Sequence, residues 1–216
     1  MHKNYSFKSH NGKIHIHTSN TEIKDLFTAW IFISFAFAIA RTVEKGIKFS
    51  TFFSIDFLIF MAISAATVGI AFLAHEFAHK VIAQRYHCWA EFRADLTMLA
   101  VGVLTSFLGV VFIAPGAVMI FGNITYKQNG KISLAGPLTN IILAIALLPL
   151  LFIKFKSTIV TEIITAGYLI NAWLALFNMI PFGNFDGAKI YAWDRKVFYI
   201  TILVAAFLIF FYFIDK

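Results

Sequence analysis

Long apolar runs separated by short polar breaks dominate the chain, at residues 26–40, 52–74, 96–121, 134–153, 159–180 and 197–214. A helix of about 17 to 25 mostly apolar residues crosses the hydrocarbon core of a bilayer, so these runs read as membrane segments. The first is somewhat short and needs Asp25 and Arg41 at the interfaces. The second spans 23 residues with one ionisable group, Asp56, near its start, and its helix is expected to continue to about residue 85. The third differs, because Gly102, Gly109, Pro115, Gly116 and Gly122 interrupt it, as an element that turns back requires. Residues 3–18 read as a β-hairpin, with Asn11-Gly12 as the turn and alternation through Lys13-Ile14-His15-Ile16-His17. Residues 117–126, an Asn129-Gly130 turn and residues 131–133 read as a second hairpin. The expected fold is an all-α polytopic membrane protein with a small membrane-associated β-sheet, built from about five full transmembrane helices plus a re-entrant element between residues 96 and 121. No linker, repeat or soluble unit stands out, so one membrane-embedded domain over residues 1–216 is expected.

Composition removes the soluble alternative. The chain is 60% hydrophobic and 13% charged, with 26 Phe and a mean hydropathy of +0.79, whereas a soluble domain carries about 25% charged residues. A single cysteine, Cys88, excludes an intrachain disulfide and a thiolate-rich metal site, leaving His and carboxylate as ligands. The net charge of +7 fits loops facing anionic lipid better than nucleic acid, since no basic cluster with interleaved aromatics occurs. The first apolar run starts only near Leu26, behind a polar segment, so no cleavable signal peptide is expected.

Candidate chemistry sits at the inner end of the second run, in His75-Glu76-Phe77-Ala78-His79. Two imidazoles four residues apart lie about 40° from each other around a helix, so both reach one zinc ion while Glu76 faces a water bound to it. A chance meeting of these residues is the plain alternative. Their place on an apolar helix argues against it, because ionisable groups at membrane depth cost several kcal/mol unless compensated. His10, His15 and His17 are explained by strand alternation, and no carboxylate joins them.

A zinc site with an open position needs a third protein ligand. Of the eleven carboxylates, Glu22, Asp25, Glu44, Asp56 and Asp215 fall near predicted helix ends or in loops, and Glu91 and Asp95 in a surface segment rich in Arg and aromatic residues. Asp194 reads as an interfacial charge, and Glu162 suits the N-terminal turn of a helix. Asp186 is the best candidate, following Asn178, Pro181, Gly183 and Asn184 in a broken stretch after an apolar helix. An ordinary loop aspartate before Gly187 is the alternative. Topology bears on the choice, since Asp186 shares a membrane side with the histidines only if residues 96–121 do not cross. Counting the 18 Lys and Arg with the N-terminus in the cytoplasm gives 10 inside and 8 outside if that segment crosses, and 12 and 6 if it turns back. The positive-inside bias favours the second arrangement.

Three motifs in order then resemble the site-2 proteases, a family of intramembrane zinc metalloproteases: HEFAH at residues 75–79, AGPLTN at 135–140, and N-x-x-P-x-x-x-x-D-G at 178–187. The resemblance covers about residues 52–190, the expected catalytic core. It implies zinc as cofactor, held by His75, His79 and Asp186, with Glu76 as general base and Asn140 close to the active site, where it helps orient substrate. Ala78 replaces a frequent Gly, and Phe182-Gly183-Asn184-Phe185 lacks the family's second Pro and the Leu before the Asp. Pro115 and Gly116 lie in a stretch similar to the family's apolar Pro-Gly segment leading into a membrane-embedded strand. Together with Asn178 they are the candidate substrate and cavity residues.

The expected reaction is hydrolysis of peptide bonds in or near transmembrane segments by zinc-activated water, with Glu76 moving the proton. Partners are then transmembrane protein substrates and the lipid bilayer, with no nucleic acid and an open oligomeric state. An exposed strand edge suits an extended substrate, and a plain structural hairpin is the alternative. A zinc-binding scaffold without activity would not need Glu76, and a metal transporter would need polar positions across the whole bilayer. The expected location is the cell membrane, with the N-terminus and zinc towards the cytoplasm.

Overall fold

The computed structural model describes residues 16–46 and 49–214. Five helical segments are long and apolar enough to cross a membrane: Asn20–Glu44, Ile55–Arg85, Tyr126–Phe152, Thr158–Asn178 and Arg195–Ile214. Within them run helices α1 (Asn20–Glu44), α2 (Ile55–Ser64) and α3 (Ile70–Arg85). Strand β1 (Trp89–Ala94) and the short helix α4 (Leu96–Ser106) follow, then strand β2 (Gly116–Phe121). Helices α5 (Tyr126–Leu147), α6 (Thr158–Asn178), α7 (Asp186–Trp193) and α8 (Arg195–Ile214) complete the described chain. The expected hairpin over residues 3–18 lies mostly outside the described residues, as do His10 and His15; residues 16–18 carry no strand.

Helices α2 and α3 are one apolar rod joined by a π-helical turn, Ala65–Gly69. Such a turn absorbs one extra residue and rotates the helix beyond it by about 100° relative to an unbroken α-helix. It also leaves a backbone carbonyl without a helical donor, which is costly in an apolar setting. Trp30 of α1 packs and bonds at this turn. Its indole Nε1–H donates to Ala65 O at 3.1 Å, and its ring lies so close to Gly69 that a Cβ there would sit 2.4 Å from the indole.

Residues 96–121 turn back, as the interrupting glycines and proline predict. Leu99 packs with Ala29 and Ile33 of α1, Val103 with Ile39, and Gly109 beside Val43, so α4 climbs along α1 towards its far end. The 11 helical residues of α4 rise about 16 Å, and residues 110–115, which carry no helix, lead the chain back. The return closes where it began, with Asp95 N–H donating to Pro115 O at 3.0 Å. Gly116 then takes φ +146°, and a Cβ there would meet Arg93 O at 2.1 Å, so only glycine fits.

Strands β1 and β2 pair antiparallel, Trp89 opposite Phe121 through Ala94 opposite Gly116. This corrects the second expected hairpin: β2 pairs backwards to residues 89–94, in the stretch read from the sequence as a surface segment, and residues 126–133 are helical. The reason is local. Thr125 and Gln128 form a capping box, Gln128 N–H donating to Thr125 Oγ1 and Thr125 N–H to Gln128 Oε1 at 2.8 Å, which starts α5 ahead of the Asn129-Gly130 pair. Gly130 serves packing instead, since a Cβ there would lie 2.4 Å from Trp193 Cβ. Among α5, α6 and α8 the core is built on small residues, Ala144, Ala172, Ala175 and Ala205, that let the helices approach closely. At the opposite end of the bundle from the histidines, Arg41 of α1 pairs with Glu162 of α6 at 2.7 Å. Glu162 is thus a partner across helices rather than the helix-opening anion its sequence position suggests.

Candidate metal centre

His75 and His79 project from α3 towards α5, and Asp186 opens α7 against the same helix. The broken stretch 179–185 makes this possible: Gly187 packs on the Met179 backbone so tightly that a Cβ would lie 2.3 Å from its carbonyl. His75 Nε2 stands 3.2 Å and His79 Nε2 3.1 Å from the same carboxylate oxygen, Asp186 Oδ2. Among the described residues these three form the cluster able to hold a metal ion. All three are buried.

Zinc fits this donor set. Two ligands on a tetrahedral zinc with bonds of about 2.0 Å stand about 3.3 Å apart, close to the separations found. The tautomers agree. His79 Nδ1 lies 2.8 Å from Ile132 O, a carbonyl that only accepts, so Nδ1 carries the proton and Nε2 presents its lone pair. His75 Nδ1 donates to Asn140 Oδ1 at 2.5 Å. The Asn140 amide is oriented in turn, its Nδ2 donating to Ala71 O at 3.2 Å and to Asn171 Oδ1 at 2.8 Å, while Asn171 Nδ2 donates to Gly167 O. A chain of amides anchored on backbone carbonyls therefore fixes which nitrogen of His75 faces the centre. Gly136 completes the cradle, because a Cβ there would stand 2.4 Å from His79 Nε2 and 2.5 Å from His75 Nε2. Burial disfavours the charged carboxylate of Asp186, but in the absence of metal the imidazoles in their protonated form, His79 foremost, outweigh it and hold the group well below the usual carboxylate range.

A cavity of about 690 Å³ opens onto the centre and is lined by His75, Glu76, His79 and Asp186. Glu76, half-buried, faces it beside the imidazoles. Pro115, Gly116 and Asn178 also line it, although Asn178 spends its amide on Leu174 O. Asn140 is 0% exposed and does not reach the cavity, so its partner is His75 rather than a bound molecule. His17 lies away from the centre, its backbone held by Gln84. The free cysteine, Cys88, is buried, which pushes its thiol pKa up and away from a nucleophile's.

Several residues of consequence escape the sequence reading. Asn171 carried a signal, an amide in the middle of an apolar helix. Glu22 and Glu91, assigned there to a helix end and a surface segment, are both buried. Glu22 pairs with Lys80 of α3, and Glu91 with Ser19 and Arg93. The partners lie 58 residues apart for Glu22 and 72 for Glu91 with Ser19, a separation no local pattern encodes.

No protein-family model matches the chain, and no solved structure does. A protein of Methanocaldococcus jannaschii named "Putative zinc metalloprotease" is 39% identical over 185 residues, covering 85% of this chain and 90% of its own length. With five helices suited to crossing a membrane and a His/His/Asp cluster shaped for zinc, the chain belongs to the zinc metalloprotease family of that protein.

Proposed function

We propose that the protein is a zinc-dependent intramembrane endopeptidase of the site-2 protease type, hydrolysing peptide bonds in or near transmembrane segments of other membrane proteins. The observation that carries this reading is the position of the centre: His75, Glu76, His79 and Asp186 line a cavity enclosed by apolar helices and bordered by an open strand edge. Bound by the two imidazoles and the aspartate, zinc supplies a water of lowered pKa and a polarised scissile carbonyl. Glu76 takes the proton at its carboxylate and delivers it to the leaving amine. Asn140 and Ile132 O hold the imidazoles, and no side chain attacks covalently.

The substrate is an extended peptide laid along β2. Gln84 Nε2–H donates to Ala90 O, and Phe92 N–H donates to Glu22 Oε1, so Ala90 and Phe92 turn their backbone groups away from β2. Their neighbours Glu91 and Arg93 therefore bond to Met119 and Ala117, and Val118 and Ile120 face the opposite edge. Both border the cavity. Pairing there by backbone hydrogen bonds exposes a peptide bond that a helix would hide. The positive-inside bias supports a centre and an N-terminus towards the cytoplasm of the cell. Cleavage of a membrane-spanning peptide by the purified protein in nanodiscs tests the reading. Glu76→Gln abolishes cleavage while zinc stays bound; unchanged cleavage by that variant refutes the mechanism.

A further inference from the structure

Beside the metal centre, outside the cavity, a second polar cluster centres on two buried charges. Lys80, the residue after His79, is 3% exposed, and Glu22 of α1 is 0% exposed. Lys80 Nζ donates to Glu22 Oε2 at 2.5 Å and to Thr18 Oγ1 at 2.7 Å. The other oxygen, Glu22 Oε1, accepts from Phe92 N–H of β1 at 3.1 Å. One turn further along α3, Gln84 Nε2 donates to Ala90 O at 3.2 Å. The helix that carries both histidines is thus bolted to the outer edge of β1, and β2 hangs from β1's other edge.

A buried ion pair is poor evidence for stability, because desolvation offsets much of the attraction and apolar replacements often do as well. Its geometry matters more. Both oxygens of Glu22 are committed, one to the metal-bearing helix and one to the strand, so a single carboxylate fixes their separation. The same contacts occupy backbone groups on the outer edge of β1, leaving the β2 edge as the side on which a peptide can add.

We propose that Glu22 and Lys80 are positioning residues that set the height of the β2 edge relative to the metal ligands, and so select which bond of an extended substrate is presented. The inference rests on the proposed binding of substrate at that strand edge. A misplacement of about 1 Å costs about 100-fold in rate, and a strand that keeps its inward face slips by two residues rather than one.

The test compares full-length variants in nanodiscs with a membrane-spanning peptide, reading cleavage position by mass spectrometry, kcat and KM separately, and zinc content. The exchange E22K/K80E keeps opposite charges but offers no acceptor to Phe92 N–H; E22Q/K80M keeps that acceptor but removes the Lys80 link to α3, leaving Gln84 to Ala90 O. Both are expected to retain zinc, raise KM about tenfold and spread cleavage to bonds two residues away. A control, R41M/E162Q, breaks the half-buried pair at the far end of the bundle and leaves the cleavage position unchanged. Should the double variants fail to fold, Lys80→Arg alters the bolt without removing its charge and is expected to shift the same pattern. Cleavage at the wild-type bond with wild-type KM overturns the inference, and so does loss of zinc, which would assign the pair to the ligands. A wild-type protein that cuts no membrane peptide overturns the proposed function instead.

Discussion

Gly136→Ala tests the metal centre with a single methyl group. The added Cβ would stand 2.4 Å from His79 Nε2, 2.5 Å from His75 Nε2 and 2.6 Å from His75 Cε1. Heavy atoms in contact rest about 3.5 Å apart, so each imidazole, or the helix bearing the methyl, must retreat by about 1 Å. Retreat is opposed from behind, because Asn140 holds one ring and Ile132 O the other. Metal–ligand bonds tolerate about 0.2 Å, so a shift of 1 Å takes the donors out of range. We expect zinc affinity to fall at least 100-fold, about 2.7 kcal/mol, with little change in helical content. Competition with a chelator of known affinity, and zinc counted per chain by mass spectrometry, measure this. Gly167→Ala is the matched control, since its Cβ would meet Leu147 Cδ1 at 3.2 Å, the end of a flexible side chain. If Gly136→Ala binds one zinc as tightly as the wild type, the histidines and Gly136 do not surround the metal in this way.

Asn140→Ala removes the acceptor for His75 Nδ1–H and is expected to weaken zinc binding 10- to 100-fold; Asn171→Ala, one link further out, acts in the same direction but less, and the same chelator competition ranks the two. Trp30→Phe keeps an aromatic ring but removes the indole donor to Ala65 O, at a cost of about 1 kcal/mol, seen as a lower Tm in detergent. Acidification weakens zinc binding, because the imidazoles must be free of protons to coordinate while Asp186 is already ionised. The affinity should therefore fall with pH towards a limit of about 100-fold per unit, two protons, and a third proton in the slope between pH 8 and 5 would show that Asp186 is not held as a carboxylate.

The legible parts of this protein are those written in periodicity and in residue chemistry. Apolar runs of bilayer length announce the spans, and the glycines and proline in residues 96–121 announce the return. The need for a third ligand leads to Asp186, which the fold brings to both histidines. The ends of α1 are less clear: apolar content marks residues 26–40, but a Ser19 cap extends the helix to Asn20, and a cap of one side chain hardly alters a hydropathy pattern. Asn129-Gly130 misleads because a turn dipeptide and a capping box compete within six residues, and packing against Trp193 decides between them. Glu22, Lys80 and Glu91 mislead for another reason. A charged residue near a predicted helix end looks solvated until a partner from elsewhere in the chain encloses it.

The π-helical turn also has a consequence for biosynthesis. The indole of Trp30, which braces the turn before the metal-bearing helix, lies on a segment made before that helix. Residues 20–44 are thus already synthesised when residues 55–85 emerge, so the partner of the turn precedes the rest of the bundle. A chain lacking residues 1–54 would keep His75, Glu76, His79 and Asp186, yet would lose the indole that bonds Ala65 O and packs on Gly69. Relaxation of the turn to regular α-helix would then swing the histidines by about 100°, leaving every ligand present in the polypeptide and the centre unformed.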